Sequence, residues 1–237
     1  MNNTKVSVIT VVYNGVATIE RTINSVLAQT YPNIEYIIID GQSTDGTLKV
    51  INRYRKQISH LISEPDNGVF DAMNKGIKLA TGDLIGIINS DDWYEQDAVQ
   101  IMINAYTQNP NFSIFHGLLR FVDKDGAMQQ VLGNHHNFLN KGMIEHPTCF
   151  IHKSVYKKLQ FDTDYSVVAD YDFMLKAVQY GFKFYFIEQI IANFSYGGMS
   201  TSFKSAKETL ALQKKYKLIT NFKRHLLTTY FWFKLSK

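Results

Sequence analysis

Two rhythms of apolar residues alternate along the first hundred positions. Lys5–Tyr13 (KVSVITVVY) is β-branched or apolar almost throughout, as a strand covered by helices on both faces should be. Asn14-Gly15 supplies a turn. From Ala17 to Gln29 the apolar residues Ile19, Ile23, Val26 and Leu27 fall at helical spacing, and Pro32-Asn33 breaks that pattern. Glu35–Asp40 predicts a second strand, Gly41–Gly46 a polar loop, Thr47–Gln57 a helix and His60–Ser63 a short third strand. Glu64–Gly68 is a loop. Val69–Ala80 predicts a helix packing through Ala72, Met73, Ile77 and Leu79, closed by Thr81-Gly82. Leu84–Ile88 has no polar side chain. It predicts a buried strand that runs into the polar cluster Asn89, Ser90, Asp91 and Asp92.

Strands and helices alternating at this spacing predict an open, mostly parallel α/β sheet. Right-handed crossovers then bring the strand C-termini to one edge, where ligands bind. That edge collects Tyr13-Asn14, Asp40, Glu64 to Asn67, and Asn89 to Asp92. After Pro110 the rhythm changes. Ser113–Val122 and Met128–Leu132 predict an antiparallel pair about the turn Asp123–Gly126. Gly142–His152 reads as a loop and then a strand, Ser154–Leu159 as a short helix, and Phe182–Ile187 as a strand. Between them Tyr171–Tyr180 predicts an amphipathic helix preceded by Asp170. The chain has no internal repeat and no low-complexity segment.

Composition narrows the class. A chain of 237 residues, 45% hydrophobic and 19% charged, is expected to form one large domain or one domain with an extension. The single cysteine, Cys149, excludes an intramolecular disulfide and fits a reducing compartment. Met1–Lys5 leads directly into a strand without the apolar core of a signal peptide. No apolar run approaches the ~20 residues of a membrane span. A cytoplasmic location is therefore expected.

The formal charge of +4 is unevenly spread: after Glu208 there is no acid, and seven Lys or Arg follow. The tail, Lys204–Lys237, begins as a helix. It ends in Phe222–Leu235, where aromatics and leucines interleave with cations. That pattern suits the membrane interface, here the inner face of the plasma membrane, and suits equally a terminal helix packed on the domain. Nucleic acid is disfavoured, because the rest of the chain lacks a basic stripe.

Two places carry candidate chemistry. Asp91 and Asp92 are adjacent carboxylates, which repel unless something neutralises them. A hard divalent cation does so through oxygen ligands. The alternative is that they cap the next helix, near whose start Glu95 and Asp97 also stand. Asp170, opening a helix, suits a general base and also an N-cap. Asp172, two residues on, faces elsewhere.

Four segments in order, Val8–Gly15 (VITVVYNG), Ile39–Gly46 (IDGQSTDG), Asn89–Asp92 (NSDD) and Ala169–Asp172 (ADYD), resemble the family 2 glycosyltransferases with a GT-A fold. The likeness covers roughly the first 200 residues and is more specific than any one motif. It implies a GT-A type, Rossmann-like α/β fold: a mostly parallel sheet flanked by helices. Residues 1–203 would form the catalytic domain, with 1–110 the nucleotide-sugar-binding half and 111–203 a mixed acceptor half. Residues 204–237 would be the helical tail. The implied reaction is inverting and metal-dependent. A sugar passes from a nucleotide-sugar, preferably a UDP-sugar, to a hydroxyl of a glycan or lipid-linked glycan acceptor in surface-polysaccharide assembly. Mn²⁺ or Mg²⁺ would stabilise the leaving diphosphate.

The resemblance assigns Asp92 as the metal ligand and puts Asp91 and Ser90 beside the ribose or donor sugar. Asp40 would accept from a base N–H, beside Thr10 and Tyr13. Asp66, Asn67 and Asn74 would be further donor contacts, and Asp170 the catalytic base. His146, Gly198 and Ser200 fall near the acceptor or the metal. Two positions depart from the family pattern: Gly41 replaces a second aspartate, and Met73 replaces an arginine often found before Asn74.

Three rival readings meet specific objections. A nucleotidyltransferase of similar fold would carry a glycine-rich, basic phosphate loop after strand one, and Asn14–Thr18 has no Lys or Arg. A non-catalytic sugar-nucleotide or carbohydrate-binding protein has no need of Asp170 together with Asp91 and Asp92. A Rossmann dehydrogenase would show Gly-x-Gly-x-x-Gly after the first strand.

Overall fold

Strand β1 (Val6–Val12) is the axis on which the sheet is built. In this computed structural model, which describes residues 4–123, 127–195, 203–220, 227 and 231, every residue of β1 is buried. Side chains alternate across a strand. Ile9 and Val11 therefore join one apolar cluster, with Ile37, Ile39, Ile85 and Ile87 of the flanking strands. Val6, Val8 and Val12 join the other, with Tyr36, Ile38, Leu84 and Ile88. Burying each such branched side chain is worth about 2 kcal/mol. The near-continuous apolar run thus has its predicted cause, a sheet covered on both faces.

β1 pairs in parallel with β2 (Ile34–Asp40) and β4 (Leu84–Asn89), and β2 with β3 (His60–Ser63). Helices α1 (Ile19–Leu27), α2 (Thr47–Asn52) and α4 (Ala98–Gln108) supply the second cluster. Helices α3 (Val69–Leu79) and α6 (Ala169–Gln179) supply the first. Beyond β4 the sheet turns mixed, with strand order β3-β2-β1-β4-β8-β6-β9-β5 and β7 paired on β6. Here β5 is Trp93–Tyr94, β6 Ile114–Val122, β7 Met128–Leu132, β8 Phe150–His152 and β9 Phe184–Ser195. A four-residue helix, α5 (Lys153–Tyr156), follows β8, and α7 (Phe203–Lys215) follows β9.

The structure departs from the sequence pattern in three instructive places. The helix after Gly46 stops at Asn52, because Arg53 and Tyr54 donate back to Val50 and Ile51 and tighten the chain into turns. β9 runs to Ser195 rather than Ile187, because parallel pairing with β6 continues to Val122↔Ser195. Asp170 is not an N-cap: Val168 holds that position, and Asp170 lies in the first turn of α6.

The start of the tail packs on the domain. Leu210 and Leu212 are buried, Gln213 Nε2 donates to Lys141 O (3.1 Å), and Lys215 and Tyr216 meet the buried Asp172. The membrane expectation rests on Phe222–Leu235, of which all but Leu227 and Phe231 lie outside the described residues. Among the described residues no helix is long and apolar enough to cross a membrane.

Candidate active site

Register brings the candidate residues together. Val12 stands beside Asp40 and Val11 beside Asn89, so the chain leaves three neighbouring strands at one edge. The loops after β1 and β2 are laced to one another. Asn14 takes a left-handed conformation (φ 51°), which asparagine tolerates better than most residues. Its N–H donates to Ser43 Oγ (2.8 Å), and its Oδ1 accepts from Thr44 N–H (2.8 Å). Gly15 and Val16 donate to Thr47 Oγ1 and Asp45 Oδ2. Above this edge opens a cleft of about 810 Å³, whose polar wall includes Tyr13, Asp66, Asp91, Glu145, His146 and Asp170.

At one end of the cleft Tyr13 is 65% exposed and presents a free aromatic face. Asp66 Oδ1 accepts from Gly68 N–H (2.9 Å). Its Oδ2 leans over Gly41, where any Cβ would overlap it. The glycine that departs from the family pattern is thus the space Asp66 occupies.

Several expected donor contacts do not reach the cleft wall. Asp40 is fully buried, and its Oδ2 accepts from Ser43 N–H (3.1 Å) and Ser63 Oγ (2.6 Å), which ties the loop down. Its Oδ1 is sealed without a hydrogen-bond partner among the described residues. Thr10 is buried mid-strand, with its hydroxyl 3.1 Å from Tyr36 Oη. Asn67 is exposed on the loop, where its N–H donates to Asp71. Asn74 uses its amide on the backbone of Phe161, donating to O (2.9 Å) and accepting from N–H (3.1 Å). The structure thus places these four, which the resemblance drew as donor contacts, off the cavity wall, where they hold loops and core.

The turn after β4 divides its polar residues. Ser90 and Asp91 line the cleft. The Asp91 carboxylate accepts no hydrogen bond from the described residues. Asp92 points the other way and is fully buried. Its Oδ1 accepts from Ser195 N–H (3.2 Å), and its Oδ2 has no hydrogen-bond partner among the described residues. Burial first, and the Asp91 charge second, push its carboxyl well above the usual range. A metal ligand must be reachable. The resemblance assigned the metal to Asp92, whereas the carboxylate that lines the cleft is that of Asp91.

No cluster of three His, Cys, Asp or Glu suited to a metal occurs among the described residues. One accessible carboxylate is nonetheless a fitting donor set. Mg²⁺ commonly binds one or two carboxylates and completes its shell with water and substrate phosphates, and Mn²⁺ shares that preference for oxygen.

Toward the other end lies Asp170. Its Oδ1 accepts from Tyr171 N–H (2.8 Å), yet burial outweighs that bond and raises its carboxyl to about 6. Such a group is largely ionised at pH 7 and more basic than an ordinary aspartate, which suits proton abstraction. His146 is buried, its ring edge against Phe161 (5.5 Å between centroids). Burial lowers its pKa to about 4, so it is neutral. Gly198 and Ser200 lie outside the described residues.

Glu145 was not singled out from the sequence. It lines the cleft, is raised by burial, and meets Asn134 only at 3.4 Å. The signal available was an acid directly before His146-Pro147 in a loop.

Comparison with known proteins follows the same geometry. The model of the family described as Glycosyl transferase family 2 matches residues 7–168. An uncharacterized glycosyltransferase of Mycobacterium tuberculosis (strain ATCC 25618 / H37Rv) is 34% identical over 178 residues, covering 73% of this chain and 68% of that protein. Hyaluronan synthase of Pasteurella multocida is 30% identical over 220 residues, 89% of this chain but 22% of that protein. Among solved structures, S. aureus TarS 1-349 in complex with UDP-GlcNAc superposes with a TM-score of 0.73 at 18% identity, covering 96% of this chain and 71% of that one. Mannosyltransferase PcManGT from Pyrobaculum calidifontis in complex with GDP-Man and Mn²⁺ gives 0.73 at 18% identity, over 93% and 66%. At those identities the structural likeness is one of fold.

Proposed function

The chain belongs to glycosyl transferase family 2 and is a glycosyltransferase of the GT-A fold; from that premise we propose an inverting, metal-dependent transfer from a UDP-sugar to a hydroxyl of a glycan or lipid-linked glycan, in polysaccharide biosynthesis. One observation carries the reading. A single cleft is lined both by an accessible carboxylate without hydrogen-bond donors among the described residues, Asp91, and by a carboxylate raised to about 6, Asp170.

In the proposed reaction the acceptor oxygen attacks the anomeric carbon as the bond from that carbon to the diphosphate breaks. Asp170 takes the acceptor's proton, and a single displacement inverts the centre. Asp91 would hold the divalent cation, which when bound stabilises the leaving diphosphate as a Lewis acid. Tyr13 would cover a face of the base. Asp66 has one oxygen engaged by Gly68 N–H, which leaves Oδ2 as a lone acceptor. That arrangement suits the single imide N–H of uracil better than the paired N–H groups of guanine.

Similar proteins support the finer points without deciding them. TarS was solved with UDP-GlcNAc, PcManGT with GDP-Man and Mn²⁺, and hyaluronan synthase names a polysaccharide product. The test is thermal stabilisation against UDP-, GDP-, CMP- and dTDP-sugars, each with Mn²⁺ and with chelator. A ligand that binds only the native state raises the midpoint. The expected result is a shift with UDP-sugars alone, lost with chelator. A shift with GDP-sugars only would overturn the base assignment, and a shift indifferent to chelator would overturn the metal.

A further inference from the structure

We propose that Arg21 is a positioning residue which holds the Asp91 turn in the shape that receives the cation; this rests on the reading of Asp91 given above. The turn between β4 and β5 has little to hold it from within, its one cross-turn backbone bond being Asp92 N–H to Asn89 O (3.2 Å). Its shape is imposed from outside, by α1 and the end of β9.

Arg21, on the polar side of α1, donates from Nη2 to the main-chain carbonyl of Asp91 (2.7 Å) and to Ser195 Oγ (2.8 Å). Ser195 Oγ donates to the same carbonyl (2.7 Å). The guanidinium sits over Trp93, its central carbon 3.7 Å from the ring centroid. One residue along, Thr22 Oγ1 donates to Asp92 O (2.6 Å), and Ser195 N–H donates to Asp92 Oδ1 (3.2 Å). The carbonyls of Asp91 and Asp92, the Asp92 side chain and the Trp93 ring are thus each gripped. The Asp91 carboxylate, which lines the cleft, has no such bond among the described residues; the other unbonded oxygens of the turn, Asn89 Oδ1 and Asp92 Oδ2, are buried.

Charge and geometry make opposite predictions for Arg21, which is what makes the proposal testable. As a bare positive charge it opposes a second cation nearby, so neutralising it would strengthen metal binding. As a clamp it is needed in shape: a planar guanidinium stacks on a ring while donating in its plane, and an ammonium does not. Arg21→Lys keeps the charge and loses the plane. Arg21→Met loses both but keeps a long apolar stem over Trp93.

The experiment is a Mn²⁺ titration of the full chain in saturating UDP, followed by the electron paramagnetic resonance of free Mn²⁺. It compares wild type, Arg21→Lys, Arg21→Met and Asp91→Asn. Removing a residue that orients a ligand typically weakens metal affinity about 10–100-fold. We expect Mn²⁺ affinity to fall by about tenfold or more in both Arg21 variants and to vanish in Asp91→Asn. UDP binding in chelator and the thermal midpoint should stay near wild type in Arg21→Lys, which separates a shifted turn from a damaged fold. Affinity that is unchanged in Arg21→Lys, or raised in Arg21→Met, overturns the clamp and leaves the Asp91 reading intact. No Mn²⁺ uptake by the wild type overturns both.

Discussion

Asp91 and Asp92 are chain neighbours whose carboxylates face opposite environments, Asp91 lining the cleft and Asp92 sealed beneath it against the N–H of Ser195. One step along the turn separates a group that can meet a cation from a group that braces the turn. Replacing each by its amide should therefore give different enzymes. Asp91→Asn is expected to abolish Mn²⁺-dependent stabilisation by UDP. Asp92→Asn, still able to accept from Ser195, is expected to keep it. Calorimetric titration of UDP with and without Mn²⁺ checks both, and the reverse pattern would return the metal to Asp92.

Asp170 should set the acid limb of the activity profile. Transfer needs its ionised form, and its carboxyl lies near 6. kcat/KM is expected to rise with pH to a plateau, with a midpoint near 6. Asp170→Asn should lower the rate by about 10²–10⁴-fold, the usual range for a general base, and remove that limb. A profile flat from pH 5 to 8 in the wild type would count against Asp170 as the base.

The same group should cost stability. Its folded pKa, about 6, lies above the ordinary 3.8, so the native state binds the proton more tightly than the unfolded chain does. The stabilisation this gives is fully present below 3.8 and is lost as pH rises through 6. Asp170→Asn does not titrate. It is therefore expected to match the wild type near pH 3.8 and to exceed it above pH 6.5, by at most about 3 kcal/mol. Urea unfolding at pH 4 and pH 7.5 reads the difference.

Gly41→Ala is expected to weaken donor binding through Asp66. The added methyl would overlap Asp66 Oδ2, the oxygen without a backbone partner. UDP affinity should fall several-fold, and Asp66→Ala should add little in the alanine background, because both changes disable one contact. Additive losses in a double-mutant cycle would mean that the two residues act apart.

Asn74→Ala is expected to damage the fold and spare the donor. It leaves the buried N–H and C=O of Phe161 without partners, a loss of about 3 kcal/mol. UDP binding by the fraction that remains folded should be unchanged. A stable variant with weakened UDP binding would restore Asn74 to the donor site.

Periodicity and turn residues were enough to read most of the elements, though not where α2 and β9 end. The apolar run of β1, the helical spacing from Ile19 to Leu27 and the polar break after Leu84–Ile88 are local facts, and local facts decide secondary structure. They also brought Tyr13, Asp66 and Asp91 to one edge, because strand ends and the order of crossovers follow from the same pattern; the family resemblance added His146 and Asp170, and all five line one cleft. Where each side chain points was decided elsewhere. Asp92 is turned inward by Ser195, 103 residues away, and Asn74 is claimed by Phe161, 87 residues away. Arg21 becomes a clamp only where β9 delivers Ser195 beside it. Local pattern fixes which polar groups reach the edge of the sheet. Tertiary packing decided which of them remain free there, because a buried polar group must find a partner wherever the fold supplies one.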